Sequence, residues 1–225
     1  MDVVQALAET ELFAGATPGE LQAIAPAVRL RVIARGAYLW HAGDPTDTAW
    51  VVRTGLLKVV KAGHEGQERV VHLAGPGDWV GEYHLFEQDS RRIYDAVAVE
   101  RSECLVLART SLQYQLERNP ALMRRVAAAL IRRAIRVIDS VAAPQLERDI
   151  AGRVQTLILA LANEYGQDTA EGRQICLRLD QSVMAALVGA SRENVNRALR
   201  RLVMGGLISI DGRLITLLNE SRLRQ

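Results

Sequence analysis

The chain has 225 residues, 49% of them hydrophobic and 24% charged, which is enough for two compact domains of ordinary composition. No run approaches the ~18 consecutive apolar residues of a membrane span. The start Met1-Asp2-Val3 also lacks the basic and apolar regions of a secretory signal, so the expectation is a cytoplasmic protein with no membrane partner. The net charge of +2 hides an asymmetry: residues 1–110 carry 11 Lys and Arg against 15 Asp and Glu, whereas residues 111–225 carry 17 against 11, all 17 being Arg. A basic second half points to a polyanion partner there, or to a solvated basic face on a long helix.

Residues 1–27 read as short helices, with Thr17-Pro18-Gly19-Glu20 forming a capping-box pattern ahead of Leu21, Ile24 and Val28. From Arg29 to Arg109 short β-type runs follow at 31–34, 37–40, 50–52, 57–60, 69–73, 96–99 and 103–107. Turns are expected at Gly43-Asp44, Gly55, 63–66 and 75–78. Short strands at such spacing predict an antiparallel sandwich or roll. Cys104 and Cys176 each sit in an alternating apolar run and read as buried strand residues. They belong to no CxxC, and His41, His64, His72 and His84 show no ligand spacing, so no metal is expected.

From Ser111 the texture is helical. Between Pro120 and Ala143 the apolar positions Met123, Val126, Leu130, Ala134, Val137 and Val141 recur in steps of three and four, flanked by Arg124, Arg125, Arg132, Arg133 and Arg136. Such a stripe packs either on its own roll or on its twin in a second copy; the second reading predicts a homodimer. Pro144 is expected to break or kink this helix, with a hinge at 144–148 and Asp149 capping the next helix, Ile150–Tyr165.

The last segment is the most informative. Asp180–Val188 reads as a short helix, Gly189-Ala190 as a tight turn, and Ser191 as the N-cap of a second helix running to Met204. Ala185, Gly189 and Val195 supply the small residue, the positive φ and the buried β-branched contact that two helices crossing steeply require. After Gly205-Gly206, the runs 207–210 and 213–217 joined by Asp211-Gly212 form a hairpin, the wing. Arg192, Glu193 and Arg197 occupy the first two turns of the second helix. Arginine there pairs with guanine O6 and N7, and glutamate accepts from cytosine N4. A surface Glu193–Arg197 ion pair is the competing reading. Arg200 and Arg201 lie farther along and suit phosphates.

The fold class is therefore α+β: an N-terminal antiparallel β-roll (1–110), a long dimerisation helix with its hinge (111–148), and a C-terminal winged helix-turn-helix (149–225). No GxGxxG, P-loop, GxSxG or HExxH motif is present, so no enzyme is expected.

Four stretches carry a resemblance: Gly43-Asp44 with Trp50-Val-Val-Arg-Thr-Gly55; Gly75-Pro-Gly-Asp-Trp-Val-Gly-Glu-Tyr-His-Leu-Phe86; the long helix; and Val188-Gly-Ala-Ser-Arg-Glu-Asn-Val-Asn-Arg197. With them the chain resembles the catabolite activator (cyclic-AMP receptor) and fumarate-nitrate regulator superfamily. The resemblance implies a cyclic-nucleotide-binding jelly roll and an inverted-repeat, TGTGA-like site on double-stranded DNA. That site would be bound through Ser191, Arg192, Glu193, Asn196, Arg197, Arg200 and Arg201. It further implies a ligand cup around Gly81, Glu82, Tyr83, Arg92 and Ile93, where Glu82 matches a ribose-binding carboxylate and Arg92 a phosphate-binding guanidinium. The cup departs from the pattern: Ile93 stands where a Ser or Thr donor is usual, Tyr94 where a smaller residue is, and Ile138-Asp139 where a Thr-Ser pair bonds adenine. Cyclic AMP, another small anionic effector, or no effector at all therefore remain open, and Glu82 with Arg92 also reads as a buried ion pair closing an empty cup. The loop 166–172 and the pair Arg29/Arg31 fall where activators of the family touch RNA polymerase. A nucleotide-sensing subunit acting on a protein partner is the rival function.

Overall fold

A computed structural model describes residues 2–62, 68–84, 87, 90–147 and 149–223, with 139–146 as backbone alone. The described residues form two compact units: residues 2–62 with 72–136, and residues 137–223 with 68–71.

The first unit opens with α1 (Val3–Ala8) and α2 (Pro18–Ile24). The capping box at α2 is present: Thr17 Oγ1 accepts from Glu20 N–H, and Glu20 Oε2 accepts from Thr17 N–H at 2.7 Å. The roll follows as β1 (Val28–Ile33), β2 (Tyr38–Trp40), β3 (Thr48–Thr54), β4 (Leu57–Ala62), β5 (Glu68–Ala74), β6 (Trp79–Val80), β7 (Asp95–Ala98) and β8 (Ser102–Ala108). Two antiparallel sheets result, in the orders β1-β8-β3-β6 and β2-β7-β4-β5. Each of the seven expected runs is a strand, and β6 adds a two-residue one. Along β8, Leu105 and Leu107 face a core shared with the helices, while Cys104 faces the other core with Trp40, Val52, Leu57 and Ala96. This is the period-two alternation of a strand buried on both faces.

Two helices close this unit, α3 (Arg109–Arg118) and α4 (Pro120–Leu146). The line Leu122, Val126, Ala129 and Arg133 of α4 is buried, and Met123 and Leu130 pack beside it on the roll core. The stripe expected to meet a twin thus covers its own roll over these residues. A different apolar line points outward: Ile131, Ile135 and Ile138, at 62%, 54% and 65% exposure. Pro144 does not end the helix, which continues to Leu146. The turn at 63–66, Phe86 and hinge residue Arg148 lie outside the described residues, as do the Asp139 and Val141 side chains.

The second unit continues with α5 (Ile150–Tyr165), capped by Asp149 Oδ1 accepting from Gly152 N–H at 2.6 Å. Next come β9 (Gly166–Thr169), β10 (Gly172–Ile175), α6 (Gln181–Val188), α7 (Arg192–Met204), β11 (Ile208–Asp211), β12 (Leu214–Leu217) and the short α8 (Glu220–Leu223). The segment 166–172, expected as a loop, is most of a β9–β10 hairpin, and it joins the wing in one sheet ordered β11-β12-β10-β9. Cys176 is exposed rather than buried: Ile175 and Leu177 take the inward positions, so the residue between them faces out. Among the described residues no helix is long and apolar enough to cross a membrane.

Candidate DNA interface and ligand cup

The candidate DNA-reading element is built by two helices and the turn between them. Asp180 caps α6, its carboxylate accepting from Val183 N–H at 2.9 Å. Gly189 ends that helix in the left-handed region, φ 65° and ψ 46°, where a side chain would be strained. Ser191 Oγ then caps α7 by accepting from Asn194 N–H at 3.3 Å. Val195, Ala198, Leu199 and Leu202 bury one face of α7. The opposite face carries Arg192, Glu193, Arg197, Arg200 and Arg201, all exposed, with Asn196 half-buried at its flank. Backbone N–H at the helix start and the Ser191 hydroxyl hold the Glu193 carboxyl below its ordinary value, so it stays an acceptor. Among the described residues no ion pair joins Glu193 to Arg197, so the plain salt-bridge reading fails. Arg213 adds an exposed cation between β11 and β12.

The cup lies in the other unit. Gly81 has φ +84°, and a Cβ there would sit 2.3 Å from Arg92 Nη1, so only glycine lets the guanidinium lie against this turn. Arg92 is buried. It donates from Nη2 to the Thr48 carbonyl and to Thr48 Oγ1 (3.2 Å), and its guanidinium stands 4.1 Å over the Trp40 ring. No carboxylate among the described residues pairs with it. Burial lowers its affinity for the proton, while Asp47, Glu82 and Asp44 act at longer range to raise it.

Glu82, in the 3-10 turn Glu82–His84, is 1% exposed, and its partner is not Arg92 but Arg133 of α4. Arg133 Nε donates to Glu82 Oε1 at 2.6 Å, Nη1 to Asp78 Oδ1 at 2.9 Å, and Nη2 to the Trp79 carbonyl at 2.5 Å and to His72 Nε2 at 2.8 Å. Glu82 Oε2 is buried with no hydrogen-bond partner among the described residues. Burial pushes the Glu82 carboxyl up, against the pull of Arg133. Although burial opposes its charge, Arg133 is held firmly cationic by Glu82 and Asp78. Tyr83 is half-exposed, and Ile93 is exposed at 62%.

The cyclic nucleotide-binding domain family matches residues 30–119, and the Crp-like helix-turn-helix domain family matches residues 152–225. The cyclic AMP receptor protein of Thermus thermophilus is 30% identical over 205 residues, covering 88% of each chain. The chain belongs to the cyclic-AMP receptor and fumarate-nitrate regulator family of transcription regulators. A second member, the CRP-like cAMP-activated global transcriptional regulator of Mycobacterium tuberculosis strain H37Rv, is 27% identical over 217 residues, 96% of each chain. The structure of FixK2 from Bradyrhizobium japonicum shares the fold, with a TM-score of 0.76 at 20% identity over 88% of this chain and 96% of that one.

Within this member of the family, the sequence reading named Gly81, Glu82 and Arg92, which the fold brings together. It missed Arg133, His72 and Asp78. Arg133 was legible in principle, since it continues the buried line Leu122, Val126 and Ala129 at helical spacing. An arginine on a core line needs buried acceptors. Replacing Arg133 with Met keeps the stem but leaves Glu82 and Asp78 without their counter-charge. The expected cost is roughly 3–5 kcal/mol of stability, as for breaking a buried pair from one side. Urea denaturation of the two proteins measures it; a loss under 1 kcal/mol would mean the network is solvated.

Proposed function

We propose that this protein is a cytoplasmic homodimeric regulator, acting as an activator, that reads an inverted-repeat TGTGA-like site through α7. The observation that supports this best is the outward face of α7. Arg192 and Arg197 stand exposed there with no ion pair among the described residues, and Glu193 is exposed beside them, in the two turns that would enter a major groove. Arg192 and Arg197 read guanine edges, Glu193 accepts from cytosine, and Arg200 and Arg201 neutralise phosphates, with Ser191 and Asn196 at the margin. The outward line Ile131, Ile135 and Ile138 supplies the seam for the second copy. In this reading residues 1–110 sense, 111–148 dimerise and hinge, and 149–225 bind DNA, while the β9–β10 hairpin and Arg29/Arg31 meet RNA polymerase. A gel-shift titration on a TGTGA palindrome tests it. Tight, sequence-selective binding is expected; binding no tighter than to scrambled DNA at matched salt would leave the protein-partner reading in its place.

The cup favours a small anionic effector carrying a hydroxyl donor. Among the described residues Arg92 is a buried cation with no carboxylate partner, and Glu82 Oε2 is a buried acceptor with no donor. One relative is described as cAMP-activated and another as a cyclic AMP receptor protein, so cyclic AMP is the first compound to try. The exposed Ile93 argues for weaker phosphate binding than a hydroxyl there would give. A ligand-independent regulator is the second reading, favoured by Arg133, which already supplies Glu82 with a counter-charge. Arg92→Ala is expected to abolish any effect of cyclic AMP on DNA affinity while leaving the affinity without it unchanged. If wild type shows no response to cyclic nucleotides and calorimetry detects no binding, the ligand-independent reading stands.

A further inference from the structure

Arginine only donates, so every partner of Arg133 must accept. Asp78, Glu82 and the Trp79 carbonyl do so in their ordinary states. His72 Nε2, 2.8 Å from Arg133 Nη2, accepts only when the imidazole is neutral with its proton on Nδ1. A second proton would turn that acceptor into an N–H aimed at an N–H and place two cations in contact.

We propose that His72 makes the Arg133 network a proton-operated latch, in which proton uptake at the imidazole expels the guanidinium and frees Asp78, Trp79 and Glu82 from α4. The groups that face the imidazole through this network are Arg133 from α4, Asp78 from the turn before β6, and Glu82 from the turn after it. The two carboxylates take Nε and Nη1 of the guanidinium while His72 takes Nη2, so the carboxylates hold Arg133 at nitrogens other than the one the imidazole accepts from. Burial and the Arg133 charge keep the imidazole well below the ordinary histidine value. The latch is therefore closed near neutrality and opens in acid.

The sign follows from linkage. Below about pH 6.5 the unfolded chain takes a proton at His72 that the closed native state refuses. The folding constant then falls by up to about tenfold per pH unit until the native imidazole is itself protonated and Arg133 released. The latch stands on this geometry alone. Its consequence, that a proton reaching β5 alters both the cup and the helix assigned to dimerisation, rests on the proposed function.

The test uses full-length protein labelled with nitrogen-15. Magnetic resonance follows the His72 ring nitrogens and the Arg133 Nε–H, which Glu82 holds, from pH 7.5 to pH 4.5. The expected result is an Nδ1–H tautomer at pH 7.5 and loss of the Arg133 Nε–H signal as His72 becomes protonated. His72→Gln offers a neutral acceptor at every pH and should keep the signal throughout. His72→Lys, a fixed cation, should lose it at pH 7.5 while circular dichroism shows the fold retained. The proposal is overturned if His72 stays neutral to pH 4.5, if His72 is protonated with the Arg133 signal unchanged, or if His72→Gln loses the signal at the wild-type pH. No arm involves DNA or ligand, so failure of the latch and failure of the proposed function are separable.

Discussion

Replacing Arg192 with alanine is expected to weaken binding to the cognate palindrome far more than binding to random DNA. Arg192 is the first residue of α7, exposed and directly after the Ser191 cap, so it sits at the end of the helix that enters the groove first. In the proposed complex its guanidinium would make two parallel bonds to one guanine, and alanine removes both. Each such contact is worth roughly 1–3 kcal/mol of discrimination, and a two-fold dimer makes it twice. The loss is thus roughly 2–6 kcal/mol on the cognate site, about 30-fold to 10⁴-fold, with only a small change on scrambled DNA at the same salt. Arg201→Ala provides the contrast. It lies nine residues along the same helix, ~13 Å farther on, and should weaken both DNAs alike and flatten the salt dependence. Paired titrations decide the matter; an equal loss on both DNAs for Arg192→Ala would reduce that residue to a phosphate anchor.

The double variant Ile131→Asp, Ile135→Asp is expected to be monomeric. These side chains are more than half exposed on a helix whose other face is already committed to the roll. Burying an isoleucine is worth about 1.5–3 kcal/mol, and a two-fold seam buries both residues from each copy. Aspartates there would set four carboxylates together at the axis. A monomer offers one recognition helix where the palindrome needs two. A specific affinity of roughly 10⁻⁸–10⁻¹¹ M then loses about half its free energy, on the order of 10³-fold or more. Sedimentation and DNA titration read the two effects. Leu130→Asp is the control: Leu130 packs on the roll core, so it should lower the melting temperature. A double variant that still sediments as a dimer would move the interface elsewhere.

Much of this was legible in the sequence, and the exceptions share a cause. The roll was visible because its strands alternate and its turns carry glycine. The reading head was visible because a Gly turn, a Ser cap and the 3.6-residue period fix which α7 side chains face out. On α4, however, two apolar lines satisfy the same steps of three and four: Met123, Val126 and Leu130 on one side, Ile131, Ile135 and Ile138 on the other. Periodicity reveals a stripe but not its partner, and the line expected to meet a twin packs on the roll. Arg133 was grouped with solvated arginines because charge usually marks a wet face, whereas its position continues the buried line. The alternative reading of Glu82 and Arg92 as an ion pair fails for the same reason: the partner of Glu82 comes from the helix, as Arg133. The β9–β10 hairpin escaped notice because Gln167, Asp168, Thr169 and Arg173 carry no apolar alternation.

Selection of bound duplexes from a randomised DNA pool by the full-length protein, with and without cyclic AMP, tests the central claim most directly. The account predicts enrichment of an inverted repeat whose half-sites are centred about one helical turn, ~10–10.5 base pairs, apart. Each half-site should hold the guanine that Arg192→Ala no longer selects. A pool that shows no two-fold symmetry, or one whose enriched sequence is unchanged by Arg192→Ala, would contradict it.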